Sequence, residues 1–126
     1  MKLYLLGVAF ALFSSGGFAQ TFNGGGGLIP DDGSTVDFSL PITGLNPATI
    51  DTLNFGLETV CINLTHTYDS DLNISLVAPD GTVVLLSSGN GGSDDDYTNT
   101  CFNMNASVSI GAGQAPFTGT FRPQGQ

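Results

Sequence analysis

Apolar and polar positions alternate in several short runs along this chain, each closed by glycine, proline, asparagine or aspartate. In the run from Val60 to His66, the residues Val60, Ile62, Leu64 and His66 fall on one side and Cys61, Asn63 and Thr65 on the other. Successive side chains of an extended strand point to opposite faces, so this pattern predicts a strand with one apolar face. The same parity sets Leu72, Ile74, Leu76 and Ala78 against Asn73, Ser75 and Val77. Pro79-Asp80-Gly81-Thr82 then predicts a turn leading into Val83-Val84-Leu85-Leu86. An earlier run, Val36-Asp37-Phe38-Ser39-Leu40, alternates as cleanly and predicts another half-buried strand after a turn at Pro30 and Asp32-Gly33. Pro41, Gly44 and Pro47 break the following stretch into loop. No apolar period of 3.6 residues is sustained, and short strands with this punctuation predict an all-β fold, an antiparallel β-sandwich.

The first residues follow a different rule. Lys2 supplies a positive start, Leu3 to Phe13 an apolar run, and Gly17-Phe18-Ala19 a small-residue cleavage site. That order predicts an export signal over residues 1–19 and a mature chain beginning at Gln20. The run is too short for a membrane-spanning helix, which needs about 20 apolar residues. Residues 20–28 include Gly24-Gly25-Gly26-Gly27 and read as a flexible lead-in. Residues 29–126 form the expected domain, a single core near the lower comfortable size limit.

Charge narrows the function classes. The chain carries 11 acidic residues against 2 basic ones, a net charge of −9, and loss of Lys2 leaves Arg122 alone. Nucleic-acid binding, which relies on Lys and Arg to neutralise phosphates, is thereby excluded as an expectation. An acidic surface suits solubility outside the cell and divalent cations. The two cysteines, Cys61 and Cys101, each sit at the edge of a strand-like run, and in an exported chain a disulfide is the favoured reading. Two free buried thiols or half of a metal site are the alternatives. No His cluster or second cysteine pair favours zinc.

Several blocks in order carry a resemblance. His66-Thr67-Tyr68 is followed by Ser70-Asp71-Leu72, then Ala78-Pro79-Asp80-Gly81-Thr82, then a Gly- and Asp-rich loop, and later Ala115-Pro116-Phe117-Thr118-Gly119. This order resembles the P domain (P/Homo B domain) of kexin-like and furin-like proprotein convertases, and bacterial members exported by the type IX route most of all. The resemblance implies a jelly-roll version of the sandwich from residue 29 onward. It implies a non-catalytic accessory role beside a subtilisin-like serine endopeptidase domain, or beside other domains of a longer protein, with proteolysis tied to it only by association. Members of the family continue into a Gly-Thr-Trp-Leu block and a final strand, whereas this chain has no Trp. The expectation is therefore a domain incomplete at its C-terminus. The rival reading is an adhesive or ligand-binding module of a surface protein, for instance one that binds carbohydrate.

Candidate chemistry is sparse. A Ser/His/Asp triad requires a base, a nucleophile and an orienting acid on a preorganised site. The single His, His66, lies in an alternating strand, and Ser93 lies in the Gly-rich loop, so no catalytic residue is expected. His66 reads as a corner residue bonded to nearby backbone or to an Asp. Calcium is the sharper expectation. Asp69, Asp71 and Asn73 form a D-x-D-x-N spacing, and Asp94, Asp95 and Asp96 add carboxylates before Cys101. Oxygen ligands spaced around a turn are what a hard cation takes. Ile74 stands where an EF-hand loop requires Gly, so the spacing does not match that motif. Turn-forming, solvated acids are the plainer reading. Tyr68 and Tyr97 are the only aromatics placed to stack on a sugar, and core packing is their default.

Overall fold

A computed structural model describes residues 19–125 apart from Thr52 and Asn54. The predicted export signal, Ala19 excepted, lies outside the described residues. The chain divides into two units, residues 1–49 and residues 50–126. No helix among the described residues is long and apolar enough to cross a membrane.

In the first unit the predicted strand over Val36 to Leu40 does not form, because no described segment pairs with its backbone. Its apolar side chains stay open to solvent, with Phe38 45% exposed. The glycine-rich lead-in lies close beside this segment: a Cβ at Gly24 would stand 3.2 Å from Leu40 Cδ1, and one at Gly27 would stand 3.1 Å from Phe38 Cε1. Side-chain bonds close this unit locally. Gln20 Nε2 donates to the Gly44 carbonyl at 3.1 Å, and Gln20 Oε1 accepts from Asn46 N at 2.8 Å. The turn at Asp32-Gly33 is present, with Asp32 Oδ1 accepting from Ser34 N at 2.9 Å.

Among the described residues, the second unit holds five strands in two sheets: β1 (Val60–Leu64), β2 (Asn73–Val77), β3 (Val83–Ser88), β4 (Tyr97–Phe102) and β5 (Gly119–Phe121). One sheet runs in the order β1-β4-β5, with β1 antiparallel and β5 parallel to the central β4. The other is the β2-β3 hairpin. Alternation sets the faces as expected: Val60, Ile62 and Leu64 are half-buried and Cys61 and Asn63 exposed, while Ile74 and Leu76 turn inward from Asn73, Ser75 and Val77.

The hairpin turn follows from its residues. Gly81 has φ +87, a left-handed conformation that glycine adopts without a Cβ penalty. Its N–H donates to the Ala78 carbonyl at 2.9 Å, and Asp80 Oδ1 accepts from Thr82 N at 2.9 Å. Cys61 and Cys101 are directly opposite partners on β1 and β4, and they form the disulfide.

The core lies between the sheets and gives the unit its sandwich-like, all-β character. Leu86 of β3, Tyr97 and Phe102 of β4 and Phe121 of β5 are buried together with Ile110 and Phe117. The Phe117 ring stacks on Tyr97 at 4.7 Å between centroids and meets Phe121 edge-on at 6.1 Å. Burying a ring of this size contributes about 2 to 3 kcal/mol from removed apolar surface. The buried hydroxyls of Ser87 and Thr100 are matched: Tyr97 Oη and Ser87 Oγ lie 2.9 Å apart, and Thr100 Oγ1 bonds the Phe117 carbonyl. After β5 the chain passes to the second sheet, where Gln124 N donates to the Leu86 carbonyl at 3.3 Å and Gly125 N to the Leu85 carbonyl at 2.8 Å.

Candidate functional site

The corner between β1 and β2 meets the loop between β3 and β4, and this junction collects most of the acidic residues that the sequence singled out. Asp69–Asp71 forms a single 3-10 turn in the corner. Its backbone is fixed by the opposing loop: Asp69 N donates to the Asp94 carbonyl at 3.1 Å, and Ser70 N to the Gly92 carbonyl at 3.2 Å. Within the loop, Asp94 N donates to the Gly91 carbonyl at 3.1 Å. Glycines at 91 and 92 have φ of +90 and +60, so the reversal there uses conformations that side-chain-bearing residues rarely take.

Asp96 ties the loop to three neighbours. Its N–H donates to Asp69 Oδ1 at 3.1 Å, its Oδ1 accepts from His66 N at 3.1 Å, and its carbonyl accepts from Phe117 N at 3.1 Å. Its own φ of +79 is uncommon outside glycine, although aspartate tolerates it better than most. This backbone geometry aims the Asp96 amide at the Asp69 carboxylate.

The five acids therefore part company. Asp69 is wholly buried. Asp71, Asp94 and Asp95 are exposed, and Asp96 is half-buried. Asp69 Oδ1 holds the Asp96 amide, but Oδ2 is buried with no hydrogen-bond partner. Burial pushes the Asp69 carboxyl above the usual carboxylate range; the Asp96 amide works against that, and the negative charges of Asp96 and Asp95 add to it. Gly91 closes over the same carboxyl: a Cβ there would stand 2.6 Å from Asp69 Cβ and 3.2 Å from Asp69 Oδ2. Among the described residues, no three His, Cys, Asp or Glu side chains converge as a metal-holding set. Asp94 and Asp95 line an open depression with Ser93, Ala115 and Pro116.

His66 takes the corner role expected of it. Its Nδ1 lies 2.9 Å from the Tyr68 carbonyl and 3.2 Å from Tyr68 N. Ser93 is exposed in the loop. Of the two tyrosines, Tyr97 is buried beneath Phe117 and presents no face to a sugar, while Tyr68 is 51% exposed. Sequence reasoning missed Gly91 and Phe117. Gly91 is one of several adjacent glycines without a distinguishing signal, and Phe117 belongs to no alternating run.

The arrangement is an acidic junction in which the corner and the loop are tied together by backbone hydrogen bonds. Over 72 residues the chain is 42% identical to leupeptin-inactivating enzyme 1 of Streptomyces exfoliatus, an alignment covering 57% of this chain and 14% of that protein. The chain thus matches a small part of a much longer relative. No solved structure matches it. Residues 58–114, which include β1 to β4 and the acidic junction between them, match the family model of the proprotein convertase P-domain.

Proposed function

We propose that this chain is an exported, non-catalytic accessory module of the P-domain kind, which docks on and stabilises a subtilisin- or kexin-like serine endopeptidase domain. The observation that carries this reading is the P-domain match across residues 58–114, joined to a structure in which His66 is engaged by backbone rather than by a serine. The similar segment in the Streptomyces protein is 14% of a chain named as an enzyme, which fits a module attached to a larger catalytic protein. The disulfide between Cys61 and Cys101 supports export, since such bonds persist in oxidising compartments. Docking would use a sandwich face. Val77 and Val83, cross-strand partners at the turn end of the hairpin, are 59% and 60% exposed and offer apolar surface for that contact.

The test uses the full chain with the subtilisin-like catalytic domain encoded nearest to it. The chain alone should hydrolyse no casein beyond its own Ser93→Ala variant. Added to the catalytic domain, it should raise that domain's Tm by several degrees, as ligand binding to a native state does, and Val77→Asp should reduce the rise. An unchanged Tm would sink the docking role. Retention on insoluble polysaccharide in the same preparation would put the ligand-binding reading in its place.

A further inference from the structure

Asn23-Gly24, Asp32-Gly33, Asp80-Gly81 and Asn90-Gly91 each place an Asn or Asp directly before a glycine. Such a step is chemically vulnerable, because glycine has no Cβ to keep its own amide nitrogen from the side-chain carbonyl of the preceding residue. The structure separates the four. In three of them the side chain is engaged. Asp32 Oδ1 accepts from Ser34 N and Asp80 Oδ1 from Thr82 N, both at 2.9 Å. Asn90 Nδ2 donates to Ser87 Oγ at 2.7 Å and to Gln124 Oε1 at 3.0 Å. The glycines of these three steps hold left-handed φ values of +75, +87 and +90. Asn23-Gly24 differs on every count. Asn23 is exposed, belongs to no helix or strand, and its side chain bonds no other described residue. The Gly24 N–H likewise has no partner among the described residues, and Gly24 is outside the left-handed region.

We propose that Asn23 is a site of spontaneous deamidation, at which the Gly24 amide nitrogen displaces ammonia from the Asn23 side chain and water then yields aspartate or isoaspartate. In the first step Gly24 N gives its proton to hydroxide, the bond from Gly24 N to Asn23 Cγ forms, and the bond from Cγ to Nδ2 breaks. Ammonia leaves with a proton from water. The resulting five-membered imide takes up one water at either carbonyl, so the net change is amide plus water to carboxylic acid plus ammonia. No oxidant, metal or enzyme enters the balance.

The same chemistry is disfavoured at the other steps. Asp32 and Asp80 are ionised at neutral pH, and a carboxylate is a poor target for an amide nucleophile. Ring closure at Asn90 would break both bonds of its Nδ2, at a side chain that is already half-buried. Space is short there too: a Cβ at Gly91 would stand 2.6 Å from Asp69 Cβ, leaving no room for the extra main-chain methylene of isoaspartate. At residue 23 that methylene meets no such obstacle, and the product adds one negative charge at neutral pH. The buried apolar residues all lie between Leu72 and Phe121, so the fold is untouched by the change.

The experiment ages the native full chain in mildly alkaline and in mildly acidic buffer and follows it by anion exchange, peptide mass mapping and isoaspartyl methyltransferase labelling. A more acidic species should accumulate in the alkaline sample first, with the amide-to-acid mass gain and the methyl label on the peptide holding residue 23. Its Tm should equal that of the fresh protein. Gly24→Ala, whose Cβ would stand 3.2 Å from the half-exposed Leu40 side chain, should slow the reaction several-fold, and Asn23→Gln should remove it. In denaturant the peptide holding Asn90 should react as readily as the one holding Asn23, because its protection is structural. The proposal fails if residue 23 stays unmodified in the aged native protein, if Asn90 reacts as fast as Asn23 without denaturant, or if Gly24→Ala leaves the rate unchanged.

Discussion

Val36-Asp37-Phe38-Ser39-Leu40 and Val60-Cys61-Ile62-Asn63-Leu64 carry the same alternation of apolar and polar residues, yet only the second is a strand. The difference lies outside the segments. Val60–Leu64 has β4 beside it in antiparallel register, a disulfide to Cys101 and a layer of buried rings beyond β4. Val36 to Leu40 has glycines beside it, which offer neither a ladder nor side chains to pack against. Alternation states which face a strand would bury. Whether the strand exists depends on a partner, because β propensity largely measures fit against cross-strand neighbours.

The largest way to break the contrast is to remove the rings behind β4. Phe117→Ala should cost about 3 to 5 kcal/mol by lost burial and the cavity left behind, read from the urea midpoint; a loss below 1 kcal/mol would mean that the Tyr97-Phe117 stack is not central. Next comes the tie between β1 and β4. Reduction of the disulfide, whose cysteines are 40 positions apart, should lower stability by about 2 to 4 kcal/mol, visible as an earlier midpoint in reductant.

Two matched substitutions sharpen the comparison. Ile62→Ala, on the half-buried face of β1, should cost about 1 to 2 kcal/mol, part of the value for a fully buried position. Phe38→Ser, on an exposed face with no ladder, should change stability by less than about 0.5 kcal/mol. Equal costs at the two sites would erase the distinction drawn between the runs.

The smallest effect belongs to the hairpin turn. Hydrogen bonds from Thr82 hold the Asp80 carboxyl below its ordinary value of 3.8. A depressed folded-state pKa contributes stability that is present above the unfolded value and lost as pH falls through the folded one. Asp80→Ala should therefore lower the urea midpoint slightly at neutral pH, and the penalty should shrink as pH falls below the ordinary carboxylate range. A penalty that persists in acid would assign the effect to turn shape instead of charge.

Much of the second unit was legible in the residues. The turn at Pro79 to Thr82 was readable because Asp80 and Gly81 each supply what the reversal needs, and the inward faces of β1 and β2 followed from parity. The cysteine pair was readable from its placement on two strand edges, although only the register puts Cys61 directly opposite Cys101. The candidate site was legible as a list and not as a ranking. Asp69, Asp71, Asp94, Asp95 and Asp96 look alike in sequence, but a 3-10 turn rotates Asp69 inward under Gly91 and leaves Asp71 exposed. That choice depends on the Asp94 and Gly92 carbonyls, more than 20 residues away along the chain, so no local pattern encodes it.

The sequence by itself determined the all-β character, the hairpin, the acidic surface and the blocks that resemble a P domain, because alternation, turn residues and charge are local properties. Only the tertiary structure decided which alternating run became a strand, which aspartate was buried and where Phe117 sits. Those outcomes depend on partners brought together from distant positions, and burial has meaning only once both surfaces are in place.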